Sequence, residues 1–163
     1  MAATEKRYKK LWVVLFLAYL ILLFYFLFFS EGLGRVNTDA EYRYNLTLFR
    51  EIGRFWEYRR MLGFKAVFLN LAGNVIAFMP FGFLLPLLSD NRTNWFATTI
   101  CAFAFSLFAE TVQLVLKLGS FDVDDLLLNT VGGLLGYIFC AICARVREKY
   151  RARNRETKKG TDD

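Results

Sequence analysis

The segment "AETVQLVLKLGSFDVDDLLLNTVGG" places Glu110, Gln113, Asp122, Asp124, Asp125 and Asn129 between two long apolar runs. Charge is costly in such a place, so each of these groups needs a reason. Carboxylates here could serve as general acid and base, as hard oxygen ligands or as a proton relay. Asn70 and Asn74, in an earlier apolar run, join the same inventory as amides able to hydrogen-bond between helices. The spacings repeat: Asn70 and Asn74 stand four apart, Glu110 and Gln113 three, Asp125 and Asn129 four, so each pair shares one helical face. The chain has no histidine, which excludes a His-based triad, a His metal site and a His proton shuttle. The cluster holds no fixed nucleophile–base pair. Metal binding by Asp122, Asp124, Asp125 and Glu110 has only spacing behind it, and neither a metal nor a cofactor is expected.

The elements that must position these groups are helices. The chain of 163 residues is 56% hydrophobic with 18 Phe, more than a small soluble core needs. Runs 11–29, 66–88, 95–116 and 126–144 each approach the roughly 20 residues that cross a bilayer as helix. No ten-residue alternating strands occur, so the expected fold is an all-α integral membrane protein, a bundle of four transmembrane helices. The first run is too long for a signal-peptide core and lacks a small-residue cleavage site, so it reads as a retained anchor. Residues 1–10 form a basic N-terminus, 11–144 the membrane domain and 145–163 a basic tail that continues as helix for a turn or two. Segment 30–65 lies between the first two spans. Within it Leu48, Ile52, Phe55 and Leu62 fall near one helical face, which suits an interfacial helix or a connecting helix packed on the span ends. Asn45-Leu46-Thr47 matches a glycosylation sequon, a pattern common by chance. Cys101, Cys140 and Cys143 all lie in apolar runs, where packing is the expected role, Cys140-x-x-Cys143 included.

Lys and Arg set the orientation. Lys6, Arg7, Lys9 and Lys10, the tail and Arg92 in loop 89–94 give thirteen basic residues on one side, against eight on the other. Both termini are therefore expected in the cytoplasm of a bacterial cell. Attraction to anionic membrane lipids follows for the tail, and nucleic-acid binding is not expected. Asn74 then lies roughly 12 Å inward from Ala66, Glu110 roughly 9–10 Å from Lys117 and Asn129 roughly 6 Å from Asp125. The polar groups of three spans meet at overlapping depths in the outer leaflet. Gly132, Gly133 and Gly136 lie close to the Asp125/Asn129 face, and Ala102, Ser106 and Ala109 form a similar strip near Glu110, so a polar pocket is expected above a tight helix seam. Pro80 and Pro86 remove backbone donors from the second span, with Gly82 between them, and are expected to bend it. Asp124 is expected to N-cap the fourth span, with Asp125 in its first turn.

At these residues the chain resembles the VanZ-like family, small multi-pass bacterial membrane proteins named for teicoplanin resistance. The matching pieces are "NLTLF" (45–49), "NVIAFMPFGFLL" (74–85), "AETVQLVL" (109–116) and "FDVDDLLLNTVGGLLGY" (121–137). The family pattern falls on Asn74, Pro80, Gly82, Glu110, Gln113, Asp122, Asp125, Asn129, Gly132 and Gly133. Leu48 departs from it, where relatives tend to have Pro. The resemblance implies a protein that lowers susceptibility to lipidated glycopeptides such as teicoplanin. Its polar site would engage the drug or a lipid-linked cell-wall precursor. Two further readings stand beside it: an integral-membrane enzyme acting on a lipid or cell-wall intermediate through Glu110 and Asp122/Asp125, and a small ion-coupled carrier. The missing nucleophile leans against the enzyme. The sequence leaves the oligomeric state open.

Overall fold

A computed structural model describes residues 2–29, 42–50, 52–54, 57, 64–89 and 93–159. Among these residues four long helices carry the fold: α1 (Ala2–Phe29), α2 (Phe64–Leu88), α3 (Trp95–Val115) and α4 (Val123–Lys159). All four contain stretches long and apolar enough to cross a membrane. Two two-residue strands, β1 (Tyr44–Asn45) and β2 (Phe121–Asp122), pair in parallel, with Tyr44 opposite Phe121 and Asn45 opposite Asp122. That pairing was not anticipated from the sequence, because two residues carry no alternation to read. α4 also differs from expectation: it runs unbroken through the basic tail to Lys159. The reason is compositional. "RVREKYRARNRETKK" holds mostly Arg, Lys, Glu and Ala, and contains no Gly or Pro before Gly160.

The packing of α3 is inverted relative to a helix of a soluble bundle. On α3 the buried residues are Thr98, Ala102, Ser106, Ala109, Glu110 and Gln113, a small and polar stripe along one face. Ile100, Phe103, Leu107, Phe108 and Val115 point outward and stay exposed. Lipid is as apolar as these side chains, so helices gain by close approach and interhelical hydrogen bonds rather than by hiding oil. α4 therefore meets α2 backbone to backbone. A Cβ on Gly82 would stand 1.8 Å from the Gly133 carbonyl oxygen, one on Gly132 2.3 Å from that of Val75, and one on Gly136 2.0 Å from that of Met79. Gly133 lies equally tight on α3, where a Cβ would come within 2.4 Å of the Ala102 Cβ. These are separations that only glycine allows.

α2 is helical through both prolines. Pro80 and Pro86 supply no N–H to the carbonyls of Ile76 and Gly82 one turn earlier. α1 sits against α2 and α3 through rings. Phe16 approaches Phe81 at 5.6 Å and Phe24 meets Phe105 edge-on at 5.9 Å, while Phe81 of α2 and Phe105 of α3 stack on each other at 5.2 Å between centroids. Such pairs contribute about 0.5–1.5 kcal/mol each beyond burial. Tyr19 Oη adds a bond to the Ala77 carbonyl at 2.8 Å.

Of the expected interfacial helix, Arg50, residues 52–54 and Glu57 are helical. Phe55 and Leu62, needed for its apolar face, lie outside the described residues, as does Arg92. Phe49 has φ 64°, and Arg50 N–H donates to the Thr47 carbonyl at 3.3 Å. A positive φ at the third residue of a four-residue turn defines a type II turn, whose second position favours proline. That position is Leu48.

Candidate functional site

The site lies at the end of the bundle where α2 and α4 begin and α3 finishes. α3 ends in a Schellman motif: Lys117 N–H donates to the Leu114 carbonyl at 3.1 Å and Leu118 N–H to that of Gln113 at 3.0 Å, with Lys117 at φ 55°. The Lys117 ammonium stands 5.0 Å from the centre of the Tyr42 ring, a cation–π contact. This tight reversal brings Glu110, a turn and a half before the helix end, under the start of α4. Glu110 Oε2 accepts the Asp122 backbone N–H at 3.0 Å. The carboxylate is 3% exposed and faces the positive end of the α4 dipole, where a negative charge is favoured.

Asp122 is the next link. Its Oδ1 accepts the Asp124 N–H at 2.8 Å, so Asp122 caps α4. The expectation that Asp124 would do so is corrected. Asp124 instead turns its two oxygens to another segment, accepting the N–H of Phe49 and, at 3.3 Å, that of Ile52. It caps the helical stretch of the 30–65 segment, a role that local sequence cannot reveal. Asn45 Nδ2 donates to both Asp122 oxygens, at 3.1 and 3.3 Å, while Asn45 Oδ1 accepts Thr47 N–H at 3.1 Å. Asn45 is buried, and its side chain is occupied by Asp122 and its own turn rather than displayed as an acceptor for sugar. Burial pushes the Asp122 carboxyl above its ordinary range; the bonds from Asp124 and Asn45 oppose the rise, the neighbouring Asp124 charge adds to it and Arg54 lowers it.

Below this latch the helices part around a cavity of about 580 Å³. Asn74, Glu110, Gln113, Asp125 and Asn129 all line it, so five of the eight polar residues singled out from sequence share one space. Asn74 Nδ2 donates to Asp125 Oδ1, joining α2 to α4. Asn129 Nδ2 donates to Ser106 Oγ at 2.9 Å, joining α4 to α3. Gln113 Nε2 donates to the Leu27 carbonyl at 2.7 Å. Leu27 is among the last residues of α1, whose terminal carbonyls have no partner within the helix, so Gln113 acts as a cap in trans. Asp122 belongs to the latch instead of the cavity wall. Asn70 lies on the α2 backbone, but its side chain is outside the described residues. The four carboxylates considered for metal binding do not gather: among the described residues no three of His, Cys, Asp and Glu come together to hold an ion.

The sequence reading missed α1. Tyr19, Leu22, Leu23, Phe26 and Leu27 form one wall of the cavity. The signal was slight: the run holds two tyrosines, Tyr19 and Tyr25, and nothing in the sequence says that Tyr19 is the one lining the cavity. Ser106 was noticed as a small residue but not as the acceptor that orients Asn129. Cys140 is buried while Cys101 and Cys143 are exposed, and all three are free thiols.

A polytopic all-α membrane protein with a polar cavity at one end of its bundle is the class these features define. The VanZ/LLP1 family model matches residues 16–144, and the chain belongs to that family. Over 92 residues the chain is 33% identical to Protein VanZ of Enterococcus faecium, a match spanning 56% of this chain and 48% of that relative. The chain thus spans about half the length of the curated relative it matches. No solved structure matches it.

Proposed function

We propose that this protein is a binding component of the bacterial cell membrane that lowers susceptibility to lipidated glycopeptides such as teicoplanin. The observation that carries the reading is the cavity: polar groups from α2, α3 and α4 converge on one space walled on its fourth side by the apolar face of α1. Such a space suits a ligand with a polar part and an apolar part, which describes both a lipidated drug and a lipid-linked cell-wall precursor. The drug class is what the resemblance to the VanZ-like family implies. Both termini lie in the cytoplasm by the Lys/Arg balance, which turns the cavity toward the cell exterior. Reporter fusions at residue 163 should read inside, and a fusion within 30–65 outside; the reverse pattern contradicts the orientation. For function, the test is deletion and complementation scored against lipidated and non-lipidated glycopeptides. Complementation should restore protection against the lipidated drug alone. Equal protection against both, or none, contradicts the proposal.

A further inference from the structure

The cavity is graded along the bundle axis. Asn74 and Asp125 are bonded to each other near the latch, and Gln113 and Ser120 line the same end. Asn129 lies roughly 6 Å further in along α4. On α2 the lining continues past Asn74 to Ile76, Ala77 and Pro80, and Pro80 is roughly 9 Å deeper than Asn74. On α1 it runs from Leu27 through Phe26 and Leu22 to Tyr19, a descent of roughly 12 Å. The Tyr19 hydroxyl, at the deep end, is engaged by the Ala77 carbonyl. Polar groups therefore crowd the end nearest the latch, and apolar groups line the end nearer the middle of the spans. An amphiphile in one leaflet of a bilayer has the same order, polar group at the surface and chain inward.

The cavity is also open at its side. Leu22, Phe26 and Ile76 line it, yet are 55%, 56% and 61% exposed, and Gly73 beside them is exposed with nothing within 4 Å of a Cβ. All four fall within the spans Lys9–Leu27 and Leu71–Leu88, so the opening between α1 and α2 faces hydrocarbon and not water. Ties on α1 flank it. On the deep side Phe16 meets Phe81 and Tyr19 bonds the Ala77 carbonyl, both on α2. On the side of the latch Phe24 meets Phe105 and the Leu27 carbonyl accepts from Gln113, both on α3. The volume of about 580 Å³ falls inside the roughly 300–1,000 Å³ range of small-molecule pockets. A space of this size whose side opens on lipid takes up hydrocarbon, and its polar end takes up whatever polar group that hydrocarbon carries.

We infer that one hydrocarbon chain of an amphiphile in the adjacent leaflet enters the cavity sideways, between α1 and α2. The chain lies along Leu22, Ala77 and Pro80, and the polar group it hangs from stays beside Asn74 and Asp125. The inference rests on the cavity being a binding site, as in the proposed function. It adds the route of entry and the part of the ligand that is held, and it does not rest on the drug phenotype.

The test is photolabelling of the purified full chain in nanodiscs of phosphatidylcholine and phosphatidylglycerol. The probe is a phosphatidylglycerol with a diazirine midway along one acyl chain, and labelled residues are located by mass spectrometry. Phe103, exposed on α3, reports ordinary contact with lipid, and Phe78, fully buried and not part of the cavity lining, reports background. Pro80 should be labelled as strongly as Phe103. A diazirine moved next to the head group should shift the label from Pro80 toward Asn74 and Asp125. Gly73→Phe, which places a ring in the cavity, should bring Pro80 down to the level of Phe78 and leave Phe103 unchanged. Label on Pro80 no stronger than on Phe78, a label indifferent to the position of the diazirine, or a folded Gly73→Phe variant that labels like wild type overturns the inference. Should the variant fail to fold, the two wild-type comparisons decide. Excess teicoplanin should suppress the Pro80 label, since its lipid tail takes the same route. A Pro80 label that teicoplanin leaves intact supports the inference and overturns the drug reading alone.

Discussion

Gly73 and Gly82 stand on the same helix and do opposite things. A Cβ on Gly82 would collide with the backbone of Gly133, whereas a Cβ on Gly73 would meet nothing within 4 Å. Gly82 is small because α4 is pressed against it; Gly73 is small and lines the open cavity. The difference separates the molecule into a closed seam, where α2 and α4 touch backbone to backbone, and an open polar end, where side-chain hydrogen bonds join the same helices. The closed part gives the bundle its shape. The open part has space lined by polar side chains, and it is where we place function.

The comparison breaks first at the seam. Gly82→Ala and Gly136→Ala should each cost more than the roughly 1–3 kcal/mol typical of overpacking, since the clash is with backbone and no rotamer relieves it. The measurement is folded protein recovered from membranes, read beside its thermal midpoint; normal recovery of both variants would mean that the helices are not in contact there. Glu110→Ala should come next. It strands the buried Asp122 N–H, a loss of roughly 1–3 kcal/mol, and Glu110→Gln should recover most of that because an amide oxygen still accepts. If Gln destabilises as much as Ala, the negative charge at the α4 N-terminus matters more than the hydrogen bond.

How much of this could be read from the sequence depended on whether the signal was local. The four spans were legible because each is a long apolar run. The pairing of Glu110 with Gln113 and of Asp125 with Asn129 was legible because helix periodicity fixes which residues share a face. The glycines of α4 pointed to a close approach, although sequence could not say that Gly82 would be its partner. The latch was hidden. Asn45 and Asp122 are 77 residues apart and Asp124 and Phe49 are 75 apart, so no spacing rule links them. The role of α1 was hidden for a different reason: its membrane span is apolar on every side apart from Tyr19 and Tyr25, so composition does not identify the face that packs.

Smaller effects sharpen the account of the latch. Leu48→Pro should stabilise by about 0.4–1 kcal/mol, because proline presets the second position of the type II turn and restricts the unfolded chain. Destabilisation in a denaturation series would show that the turn differs. The last effect concerns pH. Burial holds the Asp122 carboxyl above its ordinary value, so the folded protein keeps that proton more readily than the unfolded chain. The resulting stabilisation is full below the ordinary value and is lost as pH rises through the raised one. Asp122→Asn keeps an amide oxygen to accept from Asn45 Nδ2 and the Asp124 N–H but removes the titrating proton, so it should flatten this acidic-range slope. An unchanged slope of thermal midpoint against pH would assign the dependence to another group.

The most direct test of the open end uses Gly73. Gly73→Phe fills the cavity from a position with no neighbour to displace, and removing a helix-interior glycine does not weaken α2. Teicoplanin susceptibility of a complemented strain is measured beside the abundance of the variant in membranes. The expected result is loss of protection at wild-type abundance; full protection at wild-type abundance would contradict the claim that the cavity is where this protein works.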